Sequence, residues 1–274
     1  MTPSDRPPIG VFDSGVGGLS ILRELRRQMP GEDFVYFADQ SHVPYGPRPM
    51  DEVRAFSEAV VRFLIGHGAD LIVVACNTAS AAALRSLRAT FPGLPFVGME
   101  PAVKPAVEVT RSGVVGVLAT PATFQGELYA SVVERFAQGV RLVNETVPGL
   151  VEEIEAGRLD GPRTEELIRR ALAPIREAGA DTIVLACTHY PFVIPVISRL
   201  AGPGVAVIDP APAIARQAAR LRGGGAREGG GSLRLITSGS PDALARLAQE
   251  LIGESAAAER AVWQEGTLFL PTPG

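Results

Sequence analysis

The sequence predicts an α/β protein of two similar domains with mainly parallel sheets, related by pseudo-two-fold symmetry and facing each other across a cleft. Three observations carry this. Short runs of valine, isoleucine and leucine alternate with helical patterns along most of the chain, the signature of strands joined by helical crossovers. The runs are continuously apolar rather than alternating, as in strands covered on both faces. One nine-residue segment also occurs twice: GADLIVVAC at 68–76 and GADTIVLAC at 179–187 agree at seven of nine positions, offset by 187 − 76 = 111 residues.

In chain order, IGVF (9–12) reads as a strand, followed by DSGVGG and an amphipathic helix over 19–29. FVYFAD (34–39) is a second strand, with a helix at 51–66. LIVVAC (71–76) is a buried strand, 79–91 a helix rich in alanine and leucine, and FVGM (96–99) a short strand. The alternation restarts with VVGVLAT (114–120), a helix at 124–137, the extended RLVNETV (141–147) and a helix at 163–178. TIVLAC (182–187) and VAVID (205–209) are strands, 211–222 a helix, LRLITS (233–238) a strand and 241–253 a helix. GGGAREGGGS (223–232) reads as a flexible surface loop by composition, and PTPG as a frayed tail.

A weaker second match, GVFDS (10–14) with GVLAT (116–120), lies at an offset of 116 − 10 = 106 residues. Two half-chains therefore share one strand arrangement. The expected division is residues 1–100 plus 210–274 as a first domain, completed by the C-terminal segment, and 101–209 as the second.

Composition narrows the function. The chain has 274 residues and is 46% hydrophobic, enough for two domain cores. A net charge of −4 argues against a nucleic-acid partner. No apolar run is long enough for a membrane span and the N-terminus lacks a signal-peptide core, so a cytoplasmic protein without membrane attachment is expected. Lys104 is the single lysine, against 25 arginines, and it has no glycine loop beside it to hold the phosphate of pyridoxal phosphate. His42, His67 and His189 show no metal-ligand spacing. The expectation is chemistry with no cofactor and no metal.

The two cysteines, Cys76 and Cys187, end the two copies of the repeat. Ligands of parallel sheets sit at the carboxyl ends of strands. If the domains face each other, Cys76 and Cys187 approach one substrate from opposite sides. Racemisation needs that arrangement: one group removes a proton from a carbon and another delivers one to the opposite face. Thiols suit both roles near neutral pH. Asn77 and Thr78 follow Cys76, and Thr188 and His189 follow Cys187. Their hydroxyl, amide and backbone N–H groups at strand-to-helix turns can hold a carboxylate. Asp13 and His189 are candidates to tune the thiols. Other readings stay open: cysteines as small core residues, Asp13 as a helix cap, DSGVGG as a phosphate cradle, a thiol-redox protein, or a non-catalytic binding protein.

IGVFDSGVGGLSIL, FVYFADQSHVPYG, VVACNTASAAAL, VGVLATPAT, VPGLVEEIEAG, VLACTHYPFV and LITSGSPDALARLAQELIG follow one another in an order that resembles the bacterial glutamate racemases over nearly the whole chain. The resemblance implies interconversion of L- and D-glutamate, with D-glutamate supplied to peptidoglycan synthesis, and a homodimer. It implies that Cys76 takes the proton from D-glutamate and Cys187 from L-glutamate. Asp13 would assist Cys76, and Glu152 with His189 would assist Cys187. Asp13, Ser14, Tyr45, Gly46, Asn77, Thr78, Thr188 and His189 would contact substrate, with Asp39 and Thr120 as further pocket residues. The chain departs from the family pattern at Asn144, where many members carry a cysteine, and at Gly149, where leucine is commoner.

Overall fold

The computed structural model describes residues 6–223 and 230–271. Most of the glycine-rich segment at 223–232, and the end of the PTPG tail, lie outside the described residues. Twelve strands are formed among those described: β1 (Ile9–Asp13), β2 (Phe34–Ala38), β3 (Leu71–Val74), β4 (Phe96–Gly98), β5 (Val114–Ala119), β6 (Arg141–Glu145), β7 (Thr182–Ala186), β8 (Ala206–Ile208), β9 (Leu233–Thr237), β10 (Ala258–Arg260), β11 (Val262–Gln264) and β12 (Thr267–Phe269). The helices are α1 (Leu19–Gln28), α2 (Met50–Gly66), α3 (Asn77–Thr90), α4 (Val103–Val109), α5 (Pro121–Gln125), α6 (Glu127–Phe136), α7 (Leu150–Glu155), α8 (Pro162–Glu177), α9 (Ile194–Ala201), α10 (Ala211–Arg222) and α11 (Pro241–Ile252). A 3-10 turn at Tyr190–Val193 precedes α9.

Two parallel sheets result, ordered β10-β9-β2-β1-β3-β4 and β6-β5-β7-β8, with β11 and β12 as a separate antiparallel hairpin. The four-strand set β2-β1-β3-β4 has the same order as β6-β5-β7-β8, and the registers repeat as well. Gly10 faces Ile72 and Gly116 faces Ile183; Ile72 faces Phe96 and Ile183 faces Val207. The sequence repeat is thus a repeat of hydrogen-bond register.

Its invariant letters have physical reasons. Gly68 and Gly179 hold φ of +88° and +76° at the ends of α2 and α8, a conformation that favours glycine. In both copies the following alanine N–H reaches back five residues, Ala69 to Leu64 and Ala180 to Ile175. The aspartates anchor each turn. Asp181 accepts from the Thr110 hydroxyl and from the Arg111 and Ser112 N–H groups, and Asp70 pairs with Arg222. Gly10 and Gly116 let α2 and α8 lie directly on β1 and β5. A Cβ on Gly116 would come within 2.6 Å of Ile175, and one on Gly10 within 3.2 Å of Leu64, the equivalent residue of α2. Gly116→Ala is therefore expected to cost about 1–3 kcal/mol through overpacking. Urea denaturation checks this, and an unchanged midpoint would contradict it.

The helix expected over 124–137 is divided. α5 ends at Gln125, Gly126 takes extended backbone, and α6 starts at Glu127. Gly126 approaches α3, where an added Cβ would stand 2.7 Å from that of Ala81. The strands expected through both cysteines end earlier, at Val74 and Ala186, so each thiol sits on the turn beyond its strand. β9 pairs with β2 and β10 with β9, bringing the C-terminal segment into the first sheet. One apolar cluster includes Leu19 and Leu25 of α1, Leu150 and Ile154 of α7 and Tyr190, joining the halves behind the strand ends. Among the described residues, no helix is long and apolar enough to cross a membrane.

Candidate active site

The carboxyl ends of β1, β3, β5 and β7 open onto one cavity of about 180 Å³. Cys76 and Cys187 both line it, each only 5% exposed. Cys76 is the N-cap of α3, and its Sγ accepts the Ala79 N–H at 3.4 Å. Cys187 meets a different chain path. Its carbonyl accepts the Tyr190 N–H in the 3-10 turn, and its Sγ lies 3.9 Å from His189 Nδ1. Matching strand ends place the thiols; unlike turns give them unlike neighbours.

Burial sets the first part of the electrostatics. It pushes the Cys76 thiol well above its ordinary value, and nearby Asp13 and Cys187 push the same way, against the Ala79 and Ser14 N–H groups. Asp13 is fully buried. Its carboxylate accepts the Gly15 and Gly18 N–H groups at 3.1 Å and the Thr188 hydroxyl at 3.2 Å. Burial raises its carboxyl above the usual range, and Glu155 adds to this, while His189 and the two N–H groups pull it back. Burial alone would depress the His189 imidazole, but Cys187 and Glu155 raise it well above its ordinary value. Glu155 is held below the usual carboxylate range; the His189 ion pair and the hydrogen bonds from Val16 and Gln40 overcome its burial.

Ser14, Tyr45, Gly46, Asn77, Thr78, Thr120, Thr188 and His189 line the cavity with the two thiols, as does Glu152. Thr78 and Thr120 hydroxyls meet at 2.9 Å, linking the α3 and α5 N-termini, and Gly46 packs on Thr120. Asn77 is only 3% exposed, yet neither its Oδ1 nor its Nδ2 has a partner in the protein. Such groups are rare in native interiors, and this one faces the space where a ligand fits. His189 is the one basic side chain on the wall among the described residues. Neutral donors and helix N-termini are therefore the main means of holding an anion there.

Two expected residues, Asp39 and Asp13, stand behind the cavity wall rather than on it. Asp39 lies behind the wall, fully buried. It accepts hydrogen bonds from the Tyr45 hydroxyl at 2.6 Å, Trp263 Nε1 at 2.7 Å and the Ser238 hydroxyl at 2.8 Å, with His42 Nδ1 at 2.9 Å. Its carboxylate is saturated, and it anchors Tyr45 rather than facing the cavity. Asp13 likewise stands behind the wall, hydrogen-bonded to Thr188 and to the turn it caps. Glu152 reaches the cavity but is not the partner of His189. That partner is Glu155, one helical turn later on α7, whose Oε1 is 2.6 Å from His189 Nε2. The VEEIE segment carried the signal, since residues three apart share a helix face; Glu153 instead pairs with Arg158. Gly149 starts α7 at φ +90°, a position that suits glycine, and Asn144 accepts the Tyr129 hydroxyl at 2.6 Å.

The DSGVGG turn is explained by close approach rather than by a phosphate. A Cβ on Gly15 would stand 1.9 Å from Glu155 Oε1, one on Gly17 2.4 Å from His189 Nδ1, and one on Gly18 2.7 Å from the Asp13 Cβ.

A duplicated parallel α/β scaffold that brings two buried thiols to the wall of one small cavity is the arrangement of a two-base isomerase, built to exchange a proton across a carbon. The chain belongs to the Asp/Glu/Hydantoin racemase family, whose profile matches residues 9–218. It is 50% identical over 260 residues to a glutamate racemase from Roseiflexus sp. (strain RS-1), covering 92% of this chain and 94% of that one. Among solved structures it resembles a glutamate racemase isoform from Bacillus anthracis, with TM-score 0.86, 30% identity and coverage of 96% and 100%. It also resembles Escherichia coli glutamate racemase in complex with L-glutamate and the activator UDP-MurNAc-ala, with TM-score 0.80, 30% identity and coverage of 90% and 96%.

Proposed function

We infer that the protein interconverts L- and D-glutamate by proton transfer between two thiols, without a cofactor. The observation that carries this is the pair Cys76 and Cys187, at equivalent ends of a duplicated strand and on the wall of one cavity. With D-glutamate bound, Cys76 as thiolate removes the α-proton and Cys187 as thiol protonates the opposite face. With L-glutamate the roles exchange. The N-terminus of α3, Asn77 and Thr78 on one side and Thr188 on the other supply donors for the substrate carboxylates. Asp13 assists Cys76 through its charge, and His189 assists Cys187.

The reading extends to a cytoplasmic homodimer supplying D-glutamate for peptidoglycan, built from residues 1–100 with 210–274 and residues 101–209. Support comes from the glutamate racemases it is similar to and from the peptidoglycan precursor named as activator of the Escherichia coli protein. Circular dichroism of D-glutamate with purified protein and EDTA tests it. The signal is expected to decay to zero. Turnover of aspartate but not glutamate would leave the chemistry and overturn the substrate; a folded protein inactive on both would overturn the reading.

A further inference from the structure

Residues 39–49, between β2 and α2, form neither helix nor strand. Tyr45 and Gly46 of this segment nevertheless line the cavity, and Gly46 packs against Thr120 in the half carrying the second sheet. Within the segment the backbone closes two turns, His42 N–H to the Asp39 carbonyl and Arg48 N–H to that of Tyr45. Its path beside the cavity depends on side chains. We propose that the C-terminal hairpin of β11 and β12 is a strap for this segment, and that Trp263 is a positioning residue for Tyr45 and Gly46. The proposal rests on the racemase reading for its ligand, glutamate, and adds to that reading a residue that does not line the cavity.

The two oxygens of Asp39 face different parts of the chain. Oδ2 accepts the Tyr45 hydroxyl at 2.6 Å and meets His42 Nδ1 at 2.9 Å, both within the segment. Oδ1 accepts Trp263 Nε1 at 2.7 Å and the Ser238 hydroxyl at 2.8 Å, both from the C-terminal stretch, and the Ser41 hydroxyl at 3.4 Å. One fully buried carboxylate thus staples the segment to the end of the chain. Burial would raise this carboxyl, yet the bonds from His42, Tyr45 and Trp263 hold it below the usual range. Hydrogen bonds to a charged acceptor are roughly twice as strong as neutral ones. Aromatic packing follows the same route. The His42 ring stacks on Phe56 of α2 at 3.9 Å between centroids. Trp263 meets His42 edge-on at 5.0 Å and Phe56 at 5.6 Å, and Phe56 meets Tyr45 at 5.8 Å. Such ring pairs add to the energy of burial. Trp263 therefore touches both the carboxylate and the ring cluster. The hairpin also has anchors of its own: the Ala261 N–H donates to the Thr237 carbonyl, β12 packs on α2, and Leu268 is buried in the apolar cluster beneath. Removing the indole N–H should loosen the segment without releasing the hairpin.

Trp263→Phe keeps a ring at this position and removes the N–H. KM for glutamate is expected to rise about fivefold in both directions, the lower end of coupling between two sites. The accompanying change in kcat should be smaller than that in KM, because the thiols stay on their own turns. A variant that only lost folded protein would show a lower apparent kcat at an unchanged KM. An unchanged KM in folded Trp263→Phe therefore overturns the proposal. If Trp263→Phe fails to fold, the wild-type protein decides, since Trp263 is its single tryptophan. Coupling is reciprocal: a bond that favours the ligand is itself favoured by the ligand. Acrylamide quenching of the indole fluorescence is expected to weaken saturably as D-glutamate is added. Quenching indifferent to glutamate in an active protein overturns the proposal. Failure of the racemase reading is distinct, because it shows as an inactive wild-type protein whatever Trp263 does.

Discussion

Replacing Cys76 or Cys187 with alanine is expected to lower kcat/KM for glutamate racemisation by at least about 10³-fold in both directions, within the range that general acid–base groups supply. The reason is geometric. Each thiol serves one face of the α-carbon, and alanine removes the group that exchanges the proton on that face. His189 points its Nδ1 at Cys187 Sγ rather than beyond it, and Asp13 stands behind the wall on its own hydrogen bonds. The fall must be equal in the two directions, because enantiomers have equal free energies and the equilibrium constant is one. The individual half-reactions need not be equal. Cys187→Ala retains the group that removes the proton of D-glutamate, so residual α-proton exchange with solvent is expected only in that enantiomer. Cys76→Ala is expected to show it only in L-glutamate. Exchange in deuterium oxide followed by chiral separation checks both, and exchange in the opposite enantiomer would reverse the assignment of the thiols.

Asp13→Asn is expected to slow the enzyme about 100-fold while making it more resistant to heat near neutral pH. The two effects have one origin. Full burial raises the Asp13 carboxyl above its ordinary value, so the folded state binds this proton more tightly than the unfolded chain does. The stabilising contribution of the protonated form is present below the usual carboxylate range, and it is lost as pH rises through the folded-state value. At neutral pH the charged carboxylate is thus a cost to folding that catalysis needs, because the negative charge beside Cys76 favours proton pick-up by the thiolate and return to neutrality. Asparagine fits the same space: its oxygen can accept from the Gly15 and Gly18 N–H groups, and its amide can donate to the Thr188 hydroxyl. Tm is expected to rise near pH 7, by about 2–4 °C for each kcal/mol gained in a chain of this size, and the gain should shrink as pH falls toward the carboxylate range. A lower Tm at neutral pH would mean that the carboxylate's hydrogen bonds outweigh its desolvation.

What the sequence made legible and what it hid divide along sequence distance. Buried parallel strands announce themselves as apolar runs, and GADLIVVAC with GADTIVLAC fixes two strands, two turns and two thiols at once. The same repeat extends to register, because Ile72 and Ile183 each pair with a partner shifted by the same spacing. Less visible were elements that depend on one glycine. Gly126 breaks a helical pattern that runs through it, and Gly149 starts α7 at a positive φ. Hidden altogether were contacts between distant residues. Trp263 reaches Asp39 across 224 positions, turning a predicted pocket residue into an anchor for Tyr45. The choice between Glu152 and Glu155 as partner of His189 turned on one helical turn of α7 against the β1 turn, and no local pattern distinguishes two glutamates on the same helix face.

The central claim is that one thiol takes the proton and the other supplies a different one. Racemisation of protiated D-glutamate in deuterium oxide, stopped after a few per cent of conversion, tests it most directly. Cys187 exchanges with solvent before substrate binds, so the L-glutamate formed should carry deuterium at its α-carbon while the remaining D-glutamate keeps its proton. L-glutamate that retains the original proton, or D-glutamate that gains deuterium as fast as product forms, would place one base on both faces and contradict the two-thiol account.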